Sequence, residues 1–166
     1  MNASANNLPL KRQTTSSGFT LIELMVTIAV LAIIVSIAAP NISTQLANQR
    51  VKSTVSLIEN ALKEAKAESV IRRQDIRVIY NTSTTPRTIT IENPNTVLNT
   101  YNINDRSTIN INPRPVTTVT FRPNRVIAGD DEVIYSVCDS GSSDERLGQV
   151  RINKIANIST INFGSC

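Results

Sequence analysis

From Phe19 to Ala39 the chain runs through apolar residues interrupted only by Thr20, Glu23, Thr27 and Ser36. As a helix, this run of about 21 residues measures roughly 31 Å, the thickness of a bilayer core of about 30 Å. No comparable run follows, and the rest of the chain is rich in Asn, Thr, Ser and Arg. The 166 residues therefore read as one membrane-length segment and one polar domain. An ordinary secretory signal does not fit, because its apolar core is shorter and its small-residue cleavage site comes after that core. Here Gly18 stands before the run, and Lys11 and Arg12 stand before Gly18. Basic residues on that side predict a cytoplasmic N-terminal end, with the polar domain in the opposite compartment.

Glu23 is the anomaly. A carboxylate inside a spanning helix costs on the order of 2.5–3.5 kcal/mol and calls for a partner. No Lys, Arg or His lies between Thr20 and Gln49 to supply a cation from the same helix. A cut after Gly18 would create one on a neighbouring copy, the new amino group of Phe19. Glu23 lies about one helical turn beyond Phe19, so the odd charge reads as a subunit contact that sets adjacent helices in register.

The stretch "GFTLIELMVTIAVLAII" resembles the class III signal of type IV pilins and pseudopilins, through Gly18, Phe19, Thr20, Leu21, Glu23 and the apolar residues up to Pro40. The resemblance implies that a prepilin peptidase cuts between Gly18 and Phe19 and N-methylates Phe19. It also implies that the subunit first waits in the inner membrane as a single-pass protein with a periplasmic head. The subunit then enters a helical filament. On this reading residues 1–18 are a cleaved leader and 19–39 the membrane and filament-core half of a long helix. Residues 40–73 are its amphipathic half, and 74–166 a β-rich head.

Beyond Pro40 the residues Ile42, Leu46, Val51, Val55, Ile58, Leu62, Ala65 and Ser69 recur near a 3.6 period, which predicts one buried helix face. Glu59 with Lys63 and Glu68 with Arg72 form favourable (i, i+4) pairs. The helix is predicted to reach Arg73, with a kink near Pro40. Arg72, Arg73 and Arg77 read as positive charge at its C-terminal end. Seven β-rich runs follow, at 76–80, 87–91, 96–103, 116–121, 132–137, 149–155 and 157–163. They alternate apolar and polar residues between Pro, Asn, Asp and Gly. The segments "INPRPV" and "FRPNR" read as loops or strand edges. The expected fold is α+β and pilin-like, a long N-terminal helix packed on a C-terminal antiparallel sheet domain.

The β-domain, the phrase "FRPNRVIAGDDEVIYSVCDS" and Cys166 resemble the GspH/FimT family of minor pilins and pseudopilins, and the cysteines resemble its FimU-type members. In an exported domain, Cys138 and Cys166 are expected to be bridged, with two buried thiols as the alternative. A bridge over about 29 residues contributes around 3–4 kcal/mol on the chain-entropy model. Some FimT-type relatives bind DNA through a Gly-Arg-x-Arg stretch. Its position here falls at "ANIS" (156–159), which has no basic residue, and its nearest echo is "GQVR" (148–151). Arg146, Arg151 and Lys154 remain as a basic edge able to contact phosphates.

Enzyme classes find little support. The chain has no His, five Gly and no phosphate-binding loop. "GDDE" (129–132) reads as a turn opening a strand. Two cysteines without histidine make a poor metal site, so neither a metal nor a cofactor is expected, nor a small-molecule substrate. The expected function is a minor pilin in the tip or priming complex of a type IV pilus. The expected partners are other minor and major pilins and the prepilin peptidase. Two alternatives remain: a DNA-binding minor pilin for natural transformation, and a minor pseudopilin of a type II secretion system.

Overall fold

The long helix α1 runs from Leu21 to Arg72, 52 residues, and closes where Arg73 takes a left-handed φ of 54°. The structure, a computed structural model, describes residues 18–129, 132–141 and 145–166, except the side chains of 38–41 and 162–163. Contacts divide the chain within α1 into two compact units, one ending at Ala38 and the other running from Ala39 to Cys166. Pro40, the expected kink, falls at this junction with its side chain outside the described residues.

In the first unit every side chain from Leu21 to Ile37 is exposed. Its two helical hydroxyls are satisfied within the helix: Thr27 Oγ1 donates to the Leu24 carbonyl (2.8 Å) and Ser36 Oγ to that of Ile33 (2.7 Å). No polar group of these two residues therefore needs water, as an apolar environment demands.

In the second unit α1 turns one face to the head through Val51, Val55, Ile58, Ala61, Leu62 and Ala65, all in the core. Ile42 and Leu46 were expected on that face but are 53% and 52% exposed, so the buried stripe starts only at Ala47. Their spacing continues the stripe, but apolar periodicity alone does not say how far along a helix the covering sheet reaches. Ala61 and Ala65 are fully buried, and their small side chains let the helix lie close to the strands. On the opposite face, Lys63 Nζ meets Glu59 Oε1 at 2.5 Å and Arg72 pairs with Glu68, the two (i, i+4) pairs read from the sequence.

Eight strands follow. They are β1 (Ile76–Asn81), β2 (Thr88–Glu92), β3 (Val97–Asn102), β4 (Ser107–Asn112), β5 (Thr118–Phe121), β6 (Val133–Asp139), β7 (Arg146–Ile152) and β8 (Ile158–Ser165). They form two antiparallel four-stranded sheets, ordered β3-β2-β1-β5 and β4-β6-β7-β8. Seven of these strands overlap the β-rich runs. β4 is the addition: in "STININ" Ser107, Ile109 and Ile111 point inward while Thr108, Asn110 and Asn112 face out. Its three polar outward residues, two of them Asn, hide a strand whose inner face is ordinary. Asp130 and Asp131 of the "GDDE" turn lie outside the described residues.

Tyr135 is the largest fully buried side chain. Its hydroxyl has no hydrogen-bond partner among the described residues, and burial pushes the phenol far up. A buried hydroxyl without a partner loses its hydration and gains nothing in return. Tyr135→Phe is therefore expected to hold or raise the thermal unfolding midpoint, by up to about 1–3 kcal/mol of stability. A clear drop would show that the hydroxyl is bonded.

Candidate assembly site

Gly18, Phe19 and Thr20 precede α1 in non-helical conformation, and Phe19 is 89% exposed. A Cβ built on Gly18 would meet nothing within 4 Å. Contacts with the described residues therefore do not require glycine at position 18.

Thr20 and Glu23 form a capping box at the start of α1. Glu23 Oε2 accepts from the Thr20 backbone N–H (3.1 Å) and from Thr20 Oγ1 (3.0 Å). In return the Glu23 N–H donates to Thr20 Oγ1 (3.2 Å). Glu23 thus has a hydrogen-bond partner in its own chain, Thr20, which a count of nearby cations does not reveal. A T-x-x-E pattern ahead of an apolar run is a readable signature of this cap. The box satisfies backbone donors of the first turn and sets the carboxylate at the positive end of the helix dipole. It leaves the negative charge without a cationic partner among the described ion pairs.

Cys138 and Cys166 are bonded, with Cα atoms 5.8 Å apart. The bridge joins β6 to the end of β8, and the Cys166 N–H also donates to the Glu145 carbonyl (3.2 Å). Glu145 is fully buried beside the sulfurs, within 4.8 Å, but sulfurs bonded to each other are not metal ligands. Its Oε1 accepts from the Asp139 N–H (2.9 Å), while its Oε2 has no partner among the described residues. Asp139, next to Cys138, takes an ion pair from Arg50 Nε of α1 (2.6 Å) and the Gly141 N–H (2.9 Å). Nearby, Asn48 Oδ1 accepts from the Arg146 N–H (2.9 Å). The disulfide end of the head is thus tied to the helix by contacts some 89 and 98 residues apart in sequence.

The basic residues singled out for phosphate contact do not gather into one patch. Arg146 opens β7 and Lys154 lies beyond its other end, on the order of 20 Å along an extended strand. Arg151 is half-buried on the outer sheet face, where Nη2 donates to Gln149 Oε1 (3.3 Å). Of the second basic group, Arg72 pairs with Glu68, and Arg77 with Glu92 across the β1–β2 ladder (2.7 Å).

The prokaryotic N-terminal methylation motif matches residues 14–39. The head has the fold of solved pilin-like proteins. It superposes on the type IV minor pilin FimU of Pseudomonas aeruginosa with a TM-score of 0.61 and 17% identity, over 71% of this chain and 96% of that one. A second crystal form of FimU gives 0.57 at 17% identity, covering 69% and 98%. The minor pseudopilin EpsH from the type 2 secretion system of Vibrio cholerae gives 0.53 at 10% identity, covering 68% and 97%. No curated protein matches the chain at a significant level. The chain thus joins a methylation motif to a pilin fold.

Among the described residues no single helix passes as a membrane span by itself; Leu21–Ile37 does so only together with the helix after Ile42.

Burial acts to raise the Asp139 carboxyl, but the Arg50 guanidinium, the Gly141 N–H and the Arg106 charge together hold it below its ordinary 3.8. A carboxylate depressed by folding stabilises above its unfolded pKa, and that contribution is lost as pH falls through the lower folded value. Wild-type stability is therefore expected to fall as pH drops below about 3.8. Asp139→Asn should cost on the order of 2 kcal/mol at neutral pH and flatten that acid limb, measured by denaturant unfolding across pH. An unchanged acid limb would remove Asp139 from the account.

Proposed function

We propose that the chain is a minor pilin of a type IV pilus, a structural subunit of the tip or priming complex rather than an enzyme. The observation that carries this reading is the joining of a methylation motif over residues 14–39 to a head with the FimU fold. Residues 1–18 serve as the leader, and a prepilin peptidase cuts between Gly18 and Phe19 and methylates Phe19. Nothing among the described residues crowds Gly18, which supports this reading by leaving the segment open to a peptidase. The exposed apolar half-helix first anchors the subunit in the inner membrane with a periplasmic head. It then packs among the helices of other minor and major pilins in the filament. Glu23 keeps its capping bonds to Thr20 and meets the methylated amino group of a neighbour with the charge those bonds leave unbalanced.

A second reading, a minor pseudopilin of a type II secretion system, is supported by the EpsH likeness at lower identity. DNA capture during transformation has less support, since Arg146 opens β7, Arg151 lies near its far end and Lys154 lies beyond it. Deleting the gene and scoring twitching motility, exoprotein secretion and DNA uptake separately distinguishes the three. Loss of twitching with secretion intact is the expected result, and loss of secretion alone would overturn the pilus reading.

The capping box allows a sharper test of Glu23. Gln at the same position keeps the cap but removes the charge. Glu23→Gln is expected to be cleaved normally and to appear in sheared filaments at roughly a tenth of the wild-type level or less, equivalent to about 1.4 kcal/mol or more. Wild-type incorporation of Glu23→Gln would mean that capping is the whole role of this residue.

A further inference from the structure

A count of cysteines and histidines finds two metal donors in this chain, and the fold adds a third. The Sγ atoms of Cys138 and Cys166 and a carboxylate oxygen of Glu145 all lie within 4.8 Å of one another. Glu145 is fully buried, and its Oε2 meets no hydrogen-bond donor among the described residues. A buried carboxylate is ordinarily paired or bound to a cation. This one is fixed from two sides: Oε1 accepts from the Asp139 N–H (2.9 Å), and the Glu145 carbonyl accepts from the Cys166 N–H (3.2 Å). Asp139, beside Cys138, is already committed, with Oδ1 on the Gly141 N–H and Oδ2 on Arg50 Nε. Among the described residues, Glu145 Oε2 is therefore the unfilled acidic oxygen beside the sulfurs.

Bonded to each other, the sulfurs cannot take a metal. Cysteines are made as thiols, however, and stay so until an oxidant reaches them. We propose that, before the bridge closes, Cys138, Cys166 and Glu145 bind one divalent cation of the zinc class. Two thiolates and a carboxylate favour zinc over calcium or magnesium, which take oxygen ligands. Around tetrahedral zinc the donor atoms stand about 3.5–4 Å apart. That spacing lies within the 4.8 Å that encloses this group, and unbonded sulfurs reach it by rotation about their Cα–Cβ bonds. Cys138 is half-buried and Cys166 exposed, so solvent reaches the site and a water takes the fourth position. The Asp139 N–H on Oε1 orients the carboxylate toward the ion. Each thiol gives up its proton on binding, so uptake of the ion releases two protons. Closing the bridge passes two electrons to an oxidised disulfide, which departs as two thiols carrying two protons, and the ion is released. Until then the ion holds the end of β8 against β6, as the bridge does afterwards. The proposal concerns the head before oxidation and does not rest on the pilus reading.

The test uses the full chain in detergent, reduced with a phosphine in the absence of air and titrated with Co2+, a spectroscopic substitute for Zn2+. The expected result is one ion per chain, with the strong visible absorption of tetrahedral cobalt and a thiolate-to-cobalt charge-transfer band, both lost on adding Zn2+. The oxidised chain is expected to take up none. Glu145→Gln keeps the size of the side chain and is expected to weaken binding roughly tenfold or more. X-ray absorption of the Zn2+-loaded wild-type chain reads the ligand set without any substitution, and two sulfurs with oxygen are expected. No uptake, equal uptake by the oxidised chain, unchanged affinity in Glu145→Gln, an ion shared between two chains, or coordination by sulfur alone would each overturn the proposal.

Discussion

A half-helix whose described side chains are apolar nearly all round and exposed throughout needs a covering, and the rest of the account follows from that constraint. From Leu21 to Ile37 every described side chain is exposed. Lipid can cover such a surface, and so can the apolar helices of other subunits. The same residues suit both because each is an apolar solvent with no demand for hydrogen bonds, and Thr27 and Ser36 have already turned theirs inward. Moving from one to the other leaves Glu23 as the group whose surroundings must change. Its bonds to Thr20 travel with it, but its charge does not find a counterion within its own helix.

The head meets a different requirement, which is to remain one rigid piece on the lower half of the same helix. The apolar face from Val51 to Ala65 supplies the packing. Polar contacts then fix its edges. Arg50 holds Asp139 beside the disulfide, the Thr54 and Ser107 hydroxyls meet at 2.8 Å, and Glu64 takes bonds from Asn99 (3.1 Å) and Tyr101 of β3. The Glu64 carboxylate pushes the Tyr101 phenol up, as expected when a phenol donates to a negative acceptor. These contacts reach both sheets, β3 in one and β4 and β6 in the other. A helix bonded to both sheets has little freedom to shear against either.

Much of this was legible because it depends on local pattern. The helix end, expected at Arg73 and found at Arg72, the two (i, i+4) pairs and seven strands follow from periodicity and turn residues. β4 was missed because "STININ" presents three polar residues on its outer face and a serine on its inner one, where Ser107 is fully buried. The capping box is present as T-x-x-E at Thr20–Glu23, but a charge-based reading of Glu23 points to cations and not to a neighbouring hydroxyl. Ile42 and Leu46 show the limit of periodicity, since the same spacing serves a buried face and an exposed one. The Arg50–Asp139 pair could not have been read from sequence. It joins residues 89 apart, and only the strand order brings them together.

The central claim is that this chain is matured as a pilin and built into a filament, and one measurement tests it most directly. Filaments sheared from the cell surface are digested, and the N-terminal peptide of this chain is read by mass spectrometry. The account predicts a chain that begins at Phe19 and carries one methyl group on its amino nitrogen. Absence of the chain from the filaments, or an N-terminus at any residue other than Phe19, would contradict it.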